Sequence, residues 1–229
     1  MKHEILYESA FSVVQCHLEK GESIKAESDA MVSMSTTLDV TGSTGDGGIV
    51  GGITRKLLAG ESFFFQRITA SRGPGNVLLA QSALGGIGDV ELDGTYGLKV
   101  QRGSFLAAED TIEIDTAIQN LTKGLFSGQG FFVLNIRGKG IVFLSAFGAI
   151  HEVELEAGEE AIIDNGHLVA WPDCMEYKIE KASSDGWLSS FTSGEGLVCR
   201  FKGPGTVLIQ TRKPEAVSAW LKSMVKFVK

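Results

Sequence analysis

The sequence predicts an all-β fold of three tandem modules of about 65 residues, followed by one carboxyl-terminal helix. Glycine supplies 29 of the 229 residues and proline only four, a balance that favours many tight turns between short strands. The triplet Gly-x-Gly, followed by apolar residues, begins at Gly73, Gly138 and Gly203, and both intervals are 65 residues. No long segment of helical period separates the strands, which excludes the crossover helices of an α/β fold.

Each Gly-x-Gly triplet is predicted to join two apolar strands as the turn of a hairpin. An apolar strand also precedes the second and third triplets, after Gly130 and Gly196, and the first copy has a longer approach from Gly60. Six glycines are therefore predicted to fill equivalent structural turns that use positive φ: Gly73, Gly75, Gly138, Gly140, Gly203 and Gly205.

A second repeated element precedes each predicted hairpin and consists of a strand, a glycine turn and a short strand. The strand His151–Glu156 shows the pattern best, because His151, Val153 and Leu155 alternate with three glutamates. Together the two elements divide the chain into modules at residues 1–80, 81–145 and 146–212. Each module is too small to bury its own faces, so we expect the three to pack into one continuous structure.

Two regions lie outside this repeat. Residues 41–60 are predicted to be an insertion in the first module, with a glycine-rich loop in its first half and a short helix in its second. Residues 213–229 are predicted to form an amphipathic helix that begins at Pro214. Its apolar stripe consists of Val217, Trp220, Leu221, Met224 and Val228. We expect the stripe to dock on protein, on this chain or a neighbouring one; contact with a membrane surface is the alternative.

Composition and charge exclude several classes of protein. The net charge is −7, which argues against nucleic acid as the main partner, because phosphate binding needs clustered cations. The longest mostly apolar run, residues 141–150, is about half of what spans a bilayer, and the amino terminus does not resemble a secretory signal. Cys16, Cys174 and Cys199 are far apart in the sequence and are expected to be reduced, buried thiols. These features predict a cytoplasmic protein without a transmembrane segment.

Several motifs in this order resemble the altered-inheritance-of-mitochondria family, which has many bacterial members, over roughly residues 5–212. They are Gly60-Glu61-Ser62-Phe63-Phe64, Leu106-Ala107, Asp164-Asn165-Gly166-His167, Gly194-Glu195-Gly196 and the segment from Gly203 to Arg212. The resemblance implies a fold similar to the tryptophan RNA-binding attenuator protein. That fold would have triplicated modules of the short double-stranded β-helix type, with three chains closing a ring. It implies no catalytic residues.

Candidate ligands for a metal are His151, His167 and Asp164, all in the third module. A metal site needs three or four converging ligands, and because the chain has no His-x-His pair we interpret the histidines as structural or surface residues. Asp164 and His167 could form an acid–base pair, but no nucleophile at motif-like spacing accompanies them. The sequence thus predicts no catalytic residue, no metal and no cofactor. An enzyme that uses a cavity near His151 and His167 stays open as an alternative.

Two further motifs have structural interpretations. The glycine-rich stretch after Thr41 is not a phosphate loop, because its lysine, Lys56, lies well downstream and is followed by Leu57. Glu61 and Glu195 occupy matching turns and are interpreted as caps of turn amides.

An RNA-binding ring is the third hypothesis for function. Arg72, Arg137 and Lys202 recur beside the Gly-x-Gly triplets at intervals of 65 residues, as a repeated phosphate contact would require. The net acidic charge opposes this interpretation. The favoured prediction is a non-enzymatic protein that associates with itself, as a homotrimer or a larger ring, in a scaffold or ligand-binding role.

Overall fold

The computed structural model describes residues 1–8, 11–44, 64–118, 132–181 and 197–225. Over these residues the protein is mostly β-structure with one α-helix, at the carboxyl terminus, as the sequence predicts. The first stretch contains β1 (Lys2–Leu6), β2 (Val13–Leu18), β3 (Ser23–Glu27), β4 (Met31–Met34), β5 (Asp39–Thr44), β6 (Phe64–Thr69) and β7 (Gly75–Ala80). The second contains β8 (Ile87–Asp93), β9 (Leu98–Gln101), a 3-10 turn (Arg102–Ser104), β10 (Phe105–Glu109), β11 (Ile112–Ile118) and β12 (Phe132–Ser145). The third contains β13 (Ile150–Leu155), β14 (Glu160–Asp164), a 3-10 turn (Asn165–His167), β15 (Leu168–Pro172), β16 (Glu176–Lys181), β17 (Leu197–Lys202), β18 (Gly205–Gln210) and α1 (Pro214–Val225).

The strands fall into three successive stretches, β2–β7, β8–β12 and β13–β18, and β1 pairs with β2 ahead of them. One pairing order occurs in all three stretches, and every ladder is antiparallel. The last strand lies between the first strand and a short middle strand: β7 between β2 and β4, and β18 between β13 and β15. The strand before it lies between two others: β6 between β3 and β5, and β17 between β14 and β16. In the second stretch the long strand β12 makes both sets of pairs, with β9 and β11 along its first half and with β8 and β10 along its second.

The predicted hairpins around the Gly-x-Gly triplets are wrong. In the described ladders, the strands before and after each triplet pair with other strands and not with each other. Strand β12 continues through Gly138 and Gly140, whose φ angles of 116° and 148° lie in the region that favours glycine. A Cβ on Gly138 would lie 2.6 Å from the carbonyl oxygen of Thr111. Glycine therefore lets the chain pass from one set of partner strands to another instead of reversing direction.

The insertion predicted at residues 41–60 begins within a strand. Thr41–Thr44 belong to β5 and pair with β6, so the predicted loop does not start at Thr41. The remainder of that insertion, including its predicted short helix, lies outside the described residues.

An irregularity in register recurs at the middle strand of every stretch. Val32 in β4, Leu106 in β10 and Val169 in β15 are each the extra residue of a β-bulge opposite the last strand. This shared bulge places Ser33, Ala107 and Ala170 at corresponding positions, and the strands can be compared residue by residue from there.

Two seams join the three stretches. Strand β3 pairs with β10, where Ala26 lies opposite Ala107, and strand β9 pairs with β15, where Val100 lies opposite Ala170. Both seams are buried, and Lys25 in the first of them donates from Nζ to the Ile112 carbonyl oxygen at 2.8 Å. The hydrophobic core accordingly runs through the molecule as three adjacent clusters.

Candidate functional site

The residues predicted as a possible metal or acid–base site do not form one group. His151 is exposed on β13 opposite Ile209, whereas His167 is half-buried, with Nδ1 2.6 Å from the Gln210 carbonyl oxygen. The Asp164 carboxylate accepts from the Gly166 N–H at 2.9 Å and pairs with Lys213 Nζ at 2.5 Å. Over the described ranges no three His, Cys, Asp or Glu side chains are grouped so that they could hold a metal ion. Asp164 thus caps a turn and anchors the start of α1.

The cations beside the Gly-x-Gly triplets differ in their surroundings. Arg72 pairs with Asp39 at 2.5 Å, and Arg137 pairs with Asp173 at 2.8 Å, whereas Lys202 is exposed at the end of β17. The Ser71 hydroxyl and the Arg72 guanidinium hold the pKa of the Asp39 carboxyl below its usual value. Two of the three recurring cations therefore contact carboxylates of this chain.

The predicted turn glycines occupy different local structures. Gly75 and Gly205 begin β7 and β18, and Gly140 lies at the corresponding place within β12. Gly73 and Gly203 lie in the connections that precede those strands, and Gly138 lies inside β12. Positive φ is found at Gly138, Gly140 and Gly205.

Two of the three thiols are buried and weakly acidic. Burial, with a smaller contribution from Glu109, raises the pKa of Cys16 to about 12. Burial, with a contribution from Asp164, raises the pKa of Cys199 to about 12 as well. Cys174 is exposed, so the prediction that it is buried is wrong, and all three are free thiols. The two buried thiols have the environment of core residues rather than of nucleophiles. Glu61, Glu195 and Lys56 lie outside the described residues.

Two strands, β4 and β14, have one described partner although the corresponding strands of the other stretches have two. In the described ladders β4 pairs only with β7, and β14 pairs only with β17. Every residue of β4 is exposed, including Met31, Val32 and Met34, although the corresponding strands β10 and β15 are almost entirely buried. The sequence indicates an apolar strand at residues 31–34, but not that one edge of it is left without a neighbour.

The two open edges belong to β4 and β14, which correspond in the repeated pairing order to the strands that form the two seams. Strands β3, β9 and β14 are the second strands of the repeated pairing order, and β4, β10 and β15 are the third. The seams join the second strand of one stretch to the third strand of the next. Among the described residues, β14 is the one second strand that pairs with no third strand, and β4 is the one third strand that pairs with no second strand.

Comparisons with known proteins agree over most of the chain. The family model described as mitochondrial biogenesis AIM24 matches residues 3–212. A protein of Streptococcus pyogenes described as uncharacterized is 34% identical over 219 residues, which cover 93% of this chain and 86% of that protein. The altered inheritance of mitochondria protein 24 of Aspergillus flavus is 22% identical over 205 residues, or 70% of this chain and 50% of its own length. A crystal structure of another Streptococcus pyogenes protein superposes with a TM-score of 0.78 at 32% identity, covering 97% of this chain and 99% of that one.

Proposed function

The chain belongs to the AIM24 family, and we propose that it acts as a non-enzymatic scaffold that assembles itself by pairing β14 of one copy with β4 of the next. Each chain supplies three modules of the short double-stranded β-helix type, at residues 1–80, 81–145 and 146–212. Three chains close a ring. The observation that carries the proposal is the pair of unpartnered, complementary edges at β4 and β14.

The seams within the chain supply the register for the seam between chains. In the first seam Ala26 lies opposite Ala107, and in the second Val100 lies opposite Ala170. Ile163 is the corresponding residue of β14, and Ser33 that of β4, so Ile163 of one copy lies opposite Ser33 of the next. Ile162 then lies opposite Met34, at the position of the pair Lys25 and Ala108 in the first seam.

Burial of apolar surface supplies the driving force for this pairing. Met31, Val32 and Met34 are exposed on a strand whose counterparts Phe105, Leu106 and Ala108 are fully buried. A flat apolar edge with free backbone donors and acceptors is a template for another strand. Closing a ring removes both edges, whereas an open chain of copies would leave one at each end. The resemblance to the attenuator protein supports three as the number of chains.

The test is a charge pair placed across the proposed seam. Wild-type protein should scatter light as a particle of about three times the 24.5 kDa chain. In Met34→Lys/Ile162→Lys, two ammonium groups face each other on neighbouring strands, which opposes pairing, so this variant should scatter as a single chain. Met34→Lys/Ile162→Glu has the same two positions changed but offers an attractive pair, and it should recover the larger particle.

The two variants control for folding as well as for assembly. Lys25 occupies the position of Ile162 in the first seam, so a lysine there is compatible with this strand geometry. Circular dichroism should give the same β-structure for both variants. A wild-type monomer at micromolar concentration would contradict the proposal, as would a Lys/Lys variant that assembles as well as the Lys/Glu variant.

A further inference from the structure

The segments that connect one stretch to the next lie together at one end of the molecule. Val13 lies opposite Ala80, Ile87 opposite Ser145, and Ile150 opposite Gln210, so the segments that flank these pairs lie at the same end. The segments are residues 7–8, 11–12, 81–86, 146–149 and 211–213, and we call them together the apolar end. Backbone hydrogen bonds connect them: the Ser12 N–H donates to the Gly85 carbonyl, the Gly86 N–H to the Gly148 carbonyl, and the Arg212 N–H to the Phe147 carbonyl.

Large apolar side chains project from this end into solvent. Tyr7 is 71% exposed, Phe11 is 65% exposed and Leu84 is 56% exposed. Tyr7 and Phe11 also have φ angles of 60° and 55°, a conformation that side chains other than glycine rarely adopt. Their loop is nevertheless held in place, because buried Ser12 donates from its hydroxyl to the Tyr7 carbonyl and from its N–H to Gly85. The fold thus keeps two aromatic rings exposed in a disfavoured backbone conformation, which points to a function for them.

Helix α1 begins beside the same end and carries further exposed apolar side chains. Lys213, the residue before the helix, pairs with Asp164, and the Arg212 N–H is bonded to Phe147, so the helix starts at the apolar end. Three residues of the predicted stripe, Trp220, Leu221 and Met224, are about half exposed and so are not buried against this chain. Docking of the stripe on a neighbouring chain stays a prediction.

Charge is distributed unevenly between the two ends. Glu8 is the one charged residue in segments 7–8, 11–12, 81–86 and 146–149. The opposite end is richly charged with both signs: the carboxylates Glu19, Glu22, Asp93, Glu156 and Glu159 lie there together with the cations Lys20, Arg72, Lys139 and Lys202. Residues 212–229 hold five cations and one anion, for a net charge of +4, which leaves −11 for the other residues of a chain whose total is −7. Among the described cations, Arg212 and Lys213 therefore lie at the apolar end, beside the exposed apolar side chains of an acidic protein.

We propose that the apolar end binds the surface of a lipid bilayer that contains anionic lipids. Aromatic side chains are favoured at the depth of lipid headgroups, and a basic amphipathic helix lies in the same layer with its apolar face toward the acyl chains. No helix among the described residues is long and apolar enough to span a membrane, and the interaction proposed here is with the surface only.

A second copy of the protein fits this end less well than a bilayer. Two copies that met through their apolar ends would bring the two cationic segments together. A copy that met it through its opposite end would bury the aromatic rings against the carboxylates at that end. A bilayer with anionic headgroups satisfies both the apolar and the cationic groups.

The proposed ring would strengthen this binding, and this one step rests on the proposed function. Rotation about the axis of a ring leaves every copy pointing in the same direction along that axis, so three apolar ends would reach one flat bilayer together. Binding by a single chain does not depend on the ring.

The experiment is co-sedimentation of the full chain with vesicles of phosphatidylcholine alone or of equal parts phosphatidylcholine and phosphatidylglycerol. Wild-type protein should sediment with the anionic vesicles and much less with the neutral ones, and added salt should weaken the binding. Trp220→Ser/Leu221→Ser and Tyr7→Ser/Phe11→Ser should each lower the affinity by roughly tenfold or more, because both pairs of side chains enter the interface. Val40→Ser, which changes an exposed apolar residue of β5, is the matched control and should bind as wild type does.

Each outcome supports or overturns the proposal. Wild-type protein that stays in solution with anionic vesicles would overturn it, as would binding that survives both double substitutions. Apolar-end variants that lower the particle mass in light scattering, without any vesicle binding by wild type, would identify a second copy as the occupant. The Met34→Lys/Ile162→Lys variant separates the two proposals: a single chain that still sediments with vesicles supports lipid binding whether or not the wild-type protein forms a ring.

Discussion

Strands β15 and β4 have the same position in the pairing order, but β15 is buried and β4 is exposed. Both lie beside the last strand of their stretch, and both contain a one-residue bulge at a valine. Val169 of β15 is fully buried, whereas Val32 of β4 is 56% exposed. Strand β9 pairs with the second edge of β15, whereas no described strand pairs with the corresponding edge of β4. Burial of an apolar strand is thus decided by the strand beside it, which a short local sequence does not encode.

The largest expected contrast between the two strands is at Trp171 and Met34, which occupy corresponding positions. Trp171 is fully buried and packs edge-to-face against Tyr177 and Phe201, with ring centroids 5.2 and 5.4 Å away. Trp171→Ala should lower the free energy of unfolding by about 3–5 kcal/mol, because it opens a large cavity. Met34→Ala should cost less than about 1 kcal/mol in the single chain, since its side chain is partly in water. Urea unfolding of dilute samples measures both. Equal losses would show that β4 is covered in the single chain too.

A smaller but better matched contrast comes from the two bulge valines, because the same atoms are deleted at both sites. Val169→Ala should lower the free energy of unfolding by about 2 kcal/mol, from lost burial and an unfilled cavity. Val32→Ala should change it by no more than about 0.5 kcal/mol. The comparison is cleanest in the Met34→Lys/Ile162→Lys background, where assembly is not expected to contribute. In the wild-type background, Val32→Ala should instead weaken the larger particle.

The period of 65 residues and the many glycines were enough to predict a mostly β chain, and the apolar stripe after Pro214 was enough to predict the terminal helix. Apolar residues of similar size, Val32, Leu106 and Val169, form the three bulges. The hairpins were wrong because Gly-x-Gly is compatible with a reversal and also with a strand that changes partners, and a local pattern does not distinguish them. Partner choice depends on residues far apart in the sequence, such as Ile112 opposite Gly138.

The candidate sites were less predictable than the fold. His151 and His167 are close in sequence, but the strand and turn that carry them give them different surroundings. The open edges of β4 and β14 could not be predicted from the sequence for a related reason. Their residues look like those of any short strand, and what distinguishes them is which strands pair with them in the folded chain.

The smallest expected effect concerns Asp173, which follows β15 at one end of the seam between β9 and β15. Its backbone N–H donates to the Gly97 carbonyl at 2.8 Å, and its carboxylate accepts from the Gly97 N–H at 3.1 Å and from Arg137 at 2.8 Å. Burial raises the pKa of this carboxyl, but the Gly97 N–H and the Arg137 guanidinium outweigh it, so the pKa lies below its usual value. Asp173→Asn should therefore lower the free energy of unfolding by about 1 kcal/mol at neutral pH, because a charge-assisted hydrogen bond is lost.

The dependence of this effect on pH distinguishes a charge from a merely structural contact. A carboxyl whose pKa is depressed in the folded state contributes its full stabilisation above the unfolded pKa of about 4, and the contribution is lost as the pH falls through the folded value. The difference in unfolding free energy between wild type and Asp173→Asn should thus be constant near neutral pH and shrink in acid. Asp39→Asn is the matched control: Asp39 also pairs with an arginine but is largely exposed, so its substitution should have a smaller effect. A difference for Asp173→Asn that stays the same down to strongly acidic pH would mean that the seam depends on the shape of this side chain and not on its charge.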